Sequence, residues 1–266
     1  MKTFLFLCVF HVVGDYVLQW KSMAKGKAPF NRQFILHALL YALSMAVVFL
    51  CAPFSPAIIA WVILSLSHMF IDFLRNKVDQ KYGTNRSVKV ISFCVDQLLH
   101  LSFILICYYF IIRSHPGYLN QTLFLQRWFH NAFGYLVILC IIWKPTEIFI
   151  YEVLAMFPII PKKKSADEKP TDEEPENEKT AVDQVSVENA LKAGAYIGFL
   201  ERVIVVALVL LNAPTAIGFV LTAKSVARFK QLEDQSFAER YLVGTLLSVG
   251  IALVAILLIP RIYPFT

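Results

Sequence analysis

Charge is scarce in this chain of 266 residues. Asp, Glu, Lys and Arg make up 17% of it, against 58% hydrophobic residues, and mean hydropathy is +0.60. A soluble domain is roughly 45–50% apolar, so a water-soluble globular fold is excluded. Cysteine is sparse as well. The five (Cys8, Cys51, Cys94, Cys107, Cys140) stand singly in apolar runs, without a CxxC. That excludes a disulfide framework or thiolate metal cluster and leaves buried small hydrophobes. No Ser or Cys nucleophile motif and no internal repeat is present. The net charge of +6 does not point to nucleic acid, because the basic residues lie in short loops between apolar runs. The N-terminal run carries His11 and Asp15 in its apolar core and a basic flank after it, the reverse of signal-peptide order.

What remains is a series of apolar runs of bilayer-spanning length. The sequence predicts an all-α polytopic transmembrane bundle of about eight spans. Their approximate limits are 2–19, 33–51, 57–74, 91–112, 124–143, 193–211, 214–229 and 241–259. Lys144-Pro145 ends the fifth span, and Thr146 to Phe157 reads as an interfacial amphipathic helix. Pro161 to Gln184 is rich in Lys, Glu, Asp and Pro and reads as a disordered linker. The expected organisation is a membrane module at 1–158, a charged cytoplasmic linker at 159–186, and a three-span module at 187–266. Lys and Arg crowd the connections after spans one, three, five and seven. This alternation places both termini outside the cytoplasm and the linker inside, in a cell (inner) membrane.

Three apolar runs carry a His and an Asp four residues apart: His11 with Asp15, His68 with Asp72, Asp96 with His100. His37 joins them from span two. Residues i and i+4 share a helix face, and ionisable groups inside spanning helices face a bundle interior or cavity. At about 1.5 Å per residue, Asp15, His37, Asp72 and Asp96 lie roughly 4–8 Å from the cytoplasmic helix ends. His11, His68 and His100 lie roughly 10–14 Å in. A shared depth is what a common site requires. Imidazole with carboxylate suits zinc, or else manganese or iron. Seven candidates exceed one tetrahedral shell: they would hold two ions, or one ion with outer carboxylates orienting the imidazoles. The alternatives are interhelical hydrogen bonds alone and a proton or ion path. His115 and His130 fall outside the pattern.

Spans six to eight carry Glu201-Arg202, Lys224 with Arg228, and Glu239-Arg240. Arg202, Lys224 and Arg228 would receive an anionic headgroup, or else form an ion-pair network with Glu201 and Glu239. Gly194 and Gly198 form a small-residue packing face.

HVVGDYVLQ, SHMFIDFLR and DQLLHL resemble a widespread bacterial membrane-protein family of unknown function. YIGFLER, AKSVARF and ERYLVGTLLS resemble its long form, so the resemblance reaches nearly the whole chain outside the linker. It implies no activity. A looser likeness to inner-membrane metal-dependent hydrolases is analogy.

The expected function is that of a metal-dependent membrane hydrolase acting on an amphiphile, such as a phospholipid or polyprenyl phosphate, from the cytoplasmic side. His11, His37, His68 and His100 would ligate metal, with Asp15, Asp72 and Asp96 as ligands or general base. The alternatives are a divalent-metal or proton-coupled transporter and a non-catalytic scaffold. The outer halves of spans one to four are almost wholly apolar, which favours a one-sided site.

Overall fold

Two asparagines open the helices that matter most. Asn31 accepts from the Phe34 amide at 2.9 Å, and Asn85 accepts from Ser87 and Val88 at 3.0 and 3.4 Å. Each satisfies amides that a helix start leaves orphaned, worth about 1 kcal/mol. The computed structural model describes residues 2–20, 23, 31–123, 126–157 and 194–262. Every regular element among them is helical. The linker expected at 161–184 lies outside the described residues.

The chain forms two compact units, residues 1–156 with 254–266, and residues 157–253. In the first, α1 (Lys2–Val12) continues as a π-helical turn, Val13–Val17. Next come α2 (Arg32–Met45), the short α3 (Val48–Cys51), α4 (Phe54–Tyr82) and α5 (Arg86–Cys107), the last ending in a second π turn, Tyr108–Ile112. The one-turn α6 (Tyr118–Gln121) precedes α7 (Arg127–Ile142) and α8 (Lys144–Leu154). The backbone breaks at Trp143, and Pro145 sits in the first turn of α8, where a missing amide costs nothing. The second unit holds a helix at 194–210, called α9, then α10 (Ala216–Ala227) and α11 (Phe229–Leu232). The last helix, α12 (Gln235–Ile262), runs across the division between the units.

Five helical stretches are long and apolar enough to cross a membrane: Arg32–Cys51, Phe54–Tyr82, Arg86–Ile112, Arg127–Leu154 and Gln235–Arg261. The first, sixth and seventh expected spans are helical but shorter. Helix α4 runs two turns past the expected end at Leu74, so Arg75, Lys77 and Lys81 are helical rather than loop residues. Exposure is inverted relative to a soluble protein. Leu43, Leu66 and Leu98 are 69%, 56% and 64% exposed, whereas the seven His and Asp candidates on the same set of helices are at most 6% exposed. Apolar surface on this scale needs an apolar surrounding.

Helices α4 and α5 form the tightest pair, an antiparallel hairpin about Gly83 to Asn85, with α1 and α2 packed against it. Gly14 makes this possible at α2. A Cβ there would lie 3.0 Å from both Ser44 Cβ and Tyr41 Cδ2. Across the same contact Ser44 Oγ donates to the Phe10 carbonyl at 2.6 Å.

Candidate metal centre

The α4–α5 hairpin sets the register of the site. Asp72 and His68 stand ten and fourteen residues before the end of α4 at Tyr82. Asp96 and His100 stand ten and fourteen after the start of α5 at Arg86. At about 1.5 Å per residue the carboxylates lie roughly 15 Å from the turn and the imidazoles roughly 21 Å. Asp72 is thus farther from its helix end than the sequence implied, because α4 is longer.

His37 Nε2 is 3.1 Å from His68 Nε2 and 3.4 Å from both Asp15 Oδ1 and Asp72 Oδ2. His68 Nε2 is 3.7 Å from Asp72 Oδ2. Asp15, His37, His68 and Asp72 therefore converge as four buried donors that could hold a metal ion. Asp15, Asp96 and His100 make a second, three-membered group sharing Asp15.

The α-helical pairing holds in α4 and α5 and fails in the first segment. His68 with Asp72, and Asp96 with His100, each face one donor group. His11 and Asp15 part company across the π turn, where Leu18 N donates to Val13 O, an i to i+5 bond of 2.9 Å. Widening of this kind re-aims side chains and recurs at functional sites. Asp15 turns to His37. His11 faces Tyr41 Oη at 3.1 Å and Gln97 Oε1 at 3.4 Å, outside both donor groups, with its ring centroid 5.0 Å from that of His100.

A shell of partners surrounds the donors. His68 Nδ1 is 2.7 Å from His100 Nε2. The Tyr41 ring stacks on His68 with centroids 3.5 Å apart and planes at 4°. The Gln97 amide donates to Asp15 Oδ2 at 3.2 Å and Asp96 Oδ2 at 2.9 Å. Arg75 Nη1 donates to the same Asp96 oxygen at 3.0 Å. Asp96 Oδ1 is buried with no hydrogen-bond partner.

Of these partners only Tyr41 follows from the helical spacing that marks the donors; Arg75 depends on the length of α4, and Gln97 on direct adjacency to Asp96. Tyr41 follows His37 by four, Arg75 follows Asp72 by three, and Gln97 sits beside Asp96. His130 is buried on α7, in neither donor group.

In the second unit Lys224 Nζ pairs with Glu201 at 2.7 Å and donates to Thr245 Oγ1 at 3.2 Å. Arg202 Nη1 donates to Ser248 Oγ at 3.2 Å. The half-buried Arg228 donates to Gln231 at 3.3 Å, while Glu239 accepts from Gln235. The Lys224–Glu201 bond is one link of the ion-pair network expected there.

The model of a family described as a protein of unknown function (DUF3307) matches residues 3–129. Those residues hold the whole donor set, with Tyr41, Arg75 and Gln97. The motifs of the C-terminal half lie beyond the match. No curated protein and no solved structure matches the chain.

Proposed function

We propose that this chain is an integral inner-membrane, metal-dependent hydrolase acting on an amphiphilic, phospholipid-type substrate from the cytoplasmic side. The observation that carries the metal is the spacing of the four donors. Ligands held tetrahedrally at about 2.0–2.1 Å stand about 3.3 Å apart. The separations measured around His37 and His68 run from 3.1 to 3.7 Å.

Charge supports one ion. Asp96 is met by Arg75; the four-donor group itself carries two carboxylates, Asp15 and Asp72, whose charge one divalent cation would match. Zinc suits the two-imidazole, two-carboxylate set best, with manganese and iron next.

Held by Asp15, His37, His68 and Asp72, a divalent ion would supply an activated water and polarise a phosphoryl or acyl oxygen. The chain must then move a proton. Water adds to the phosphorus or acyl carbon, and the ester bond to the alcohol breaks. The proton lost by the water passes through a carboxylate to the departing alcohol. Asp96 is the carboxylate with an oxygen to spare.

Eight spans with both termini outside complete the proposal. The test is ester hydrolysis by protein in mild detergent, with each of His37→Ala and Asp72→Ala as controls. Loss of activity and of metal together supports the reading. Full activity in a metal-free variant contradicts it.

A proton path is the second reading, favoured by the imidazole chain His37, His68, His100, with contacts of 3.1 and 2.7 Å. Proton flux in liposomes insensitive to chelator would select it.

A further inference from the structure

At the turn end of the hairpin a cleft of about 270 Å³ is lined by Arg75, Asp79, Lys81, Thr84, Lys89 and Glu152, among others. The lining draws on α4, α5 and α8, all in one unit. Arg75 stands at its inner wall and is shared. Its Nη1 holds Asp96, its Nε lies 3.7 Å from Asp79, and its guanidinium lies 5.4 Å from the Phe93 ring centroid. From there hydrogen bonds run inward, Arg75 to Asp96, Asp96 to Gln97, Gln97 to Asp15.

Arg75 is thus charge-balanced from within the protein. Lys81 and Lys89 are not, since neither has a carboxylate within ion-pairing distance among the described residues. The Lys89 stem lies over Gly83, with its Cε 3.5 Å from where a Cβ would stand. Lys81 Nζ lies 5.1 Å from the Tyr82 ring centroid. Two ammonium groups with a threonine hydroxyl match the acceptor-only oxygens of a phosphate. Two carboxylates also line the cleft: Asp79, which faces Arg75, and Glu152, which opposes any anion and so weakens the site.

We propose that this cleft binds the phosphate of an amphiphile's headgroup through Lys81 and Lys89, at the outer end of the hydrogen-bond chain that begins at the metal-binding carboxylate Asp15. This rests on the reading of the centre as one that acts on an amphiphile, and it names phosphate as the group recognised.

The test uses the full chain in a phosphate-free neutral detergent. Phosphatidic acid is titrated with native mass spectrometry as the readout, diacylglycerol is the phosphate-free control, and inorganic phosphate is the competitor. Phosphatidic acid should bind at least tenfold more tightly than diacylglycerol. Lys81→Gln with Lys89→Gln together should remove that preference. Lys77→Gln should keep it, because Lys77 lies over Phe73 and outside the cleft. Glu152→Gln should tighten binding. Competition by inorganic phosphate assigns the site to the free anion as well, whereas phosphatidic acid binding without competition assigns it to the lipid headgroup. A double variant that binds like wild type overturns the proposal. The titration is run with metal chelated, so lysine-dependent binding by a protein that never holds metal would sink the hydrolase reading and leave this site standing.

Discussion

Nδ1 of His68 lies 2.7 Å from Nε2 of His100, at mirror positions on the two arms of one hairpin. One proton fits between two imidazole nitrogens that close. If it sits on His68 Nδ1, the Nε2 lone pair of His68 is fixed toward His37, Asp15 and Asp72. His100 then accepts on Nε2 and, while neutral, carries its own proton on Nδ1. With the proton so placed, His100 would orient a ligand, and the four-donor group would be the one ready for the proposed ion.

His100→Ala should weaken metal affinity by roughly 10–100-fold, the usual cost of losing an outer partner of a ligating imidazole. His100→Gln, whose amide oxygen can accept the same bond, should recover part of it. Zinc titration against a competing chelator measures both. Complete metal loss in His100→Gln with unchanged folding would make His100 a direct ligand instead.

Gly14→Ala tests how Asp15 is delivered. The added methyl meets Ser44 and Tyr41 at 3.0 Å, and overpacking of this kind costs about 1–3 kcal/mol. The melting temperature should fall, and metal content with it, because Asp15 is the neighbour of Gly14. Normal metal content in a destabilised variant would show that the π turn absorbs the push.

Asn85→Ala separates fold from site. It removes the cap of α5 and should cost about 1 kcal/mol of stability. The donors lie more than two turns away, so metal stoichiometry should not change. A drop in bound metal would mean that the hairpin register depends on that one cap.

The helices and their buried His and Asp residues were legible because both follow from periodicity and from the cost of ionisable groups in apolar surroundings. Asp15, His37, His68 and Asp72 could be listed but not partitioned from the other candidates. That division depends on the π turn, which leaves no mark in composition, and on Gly14, whose role appears only once Ser44 faces it. Arg75 reads as a loop cation in the sequence, where hydropathy falls after Leu74. Its link from Asp96 to the surface exists only because the helix runs on to Tyr82.

Chelation should lower the melting temperature, since an ion bound only by the folded state adds its binding free energy to stability, roughly 2.7 kcal/mol at a hundred times Kd. Added zinc should restore it in wild type and fail to do so in Asp72→Ala. Equal melting curves with and without chelator would mean that no ion contributes to the fold.

Elemental analysis of the purified chain in mild detergent tests the central claim most directly. One divalent transition-metal ion per chain is expected, most of it zinc, lost in His37→Ala and His68→Ala and retained in His130→Ala. A wild-type protein that carries no metal and takes up none when given zinc, manganese or iron would contradict the account.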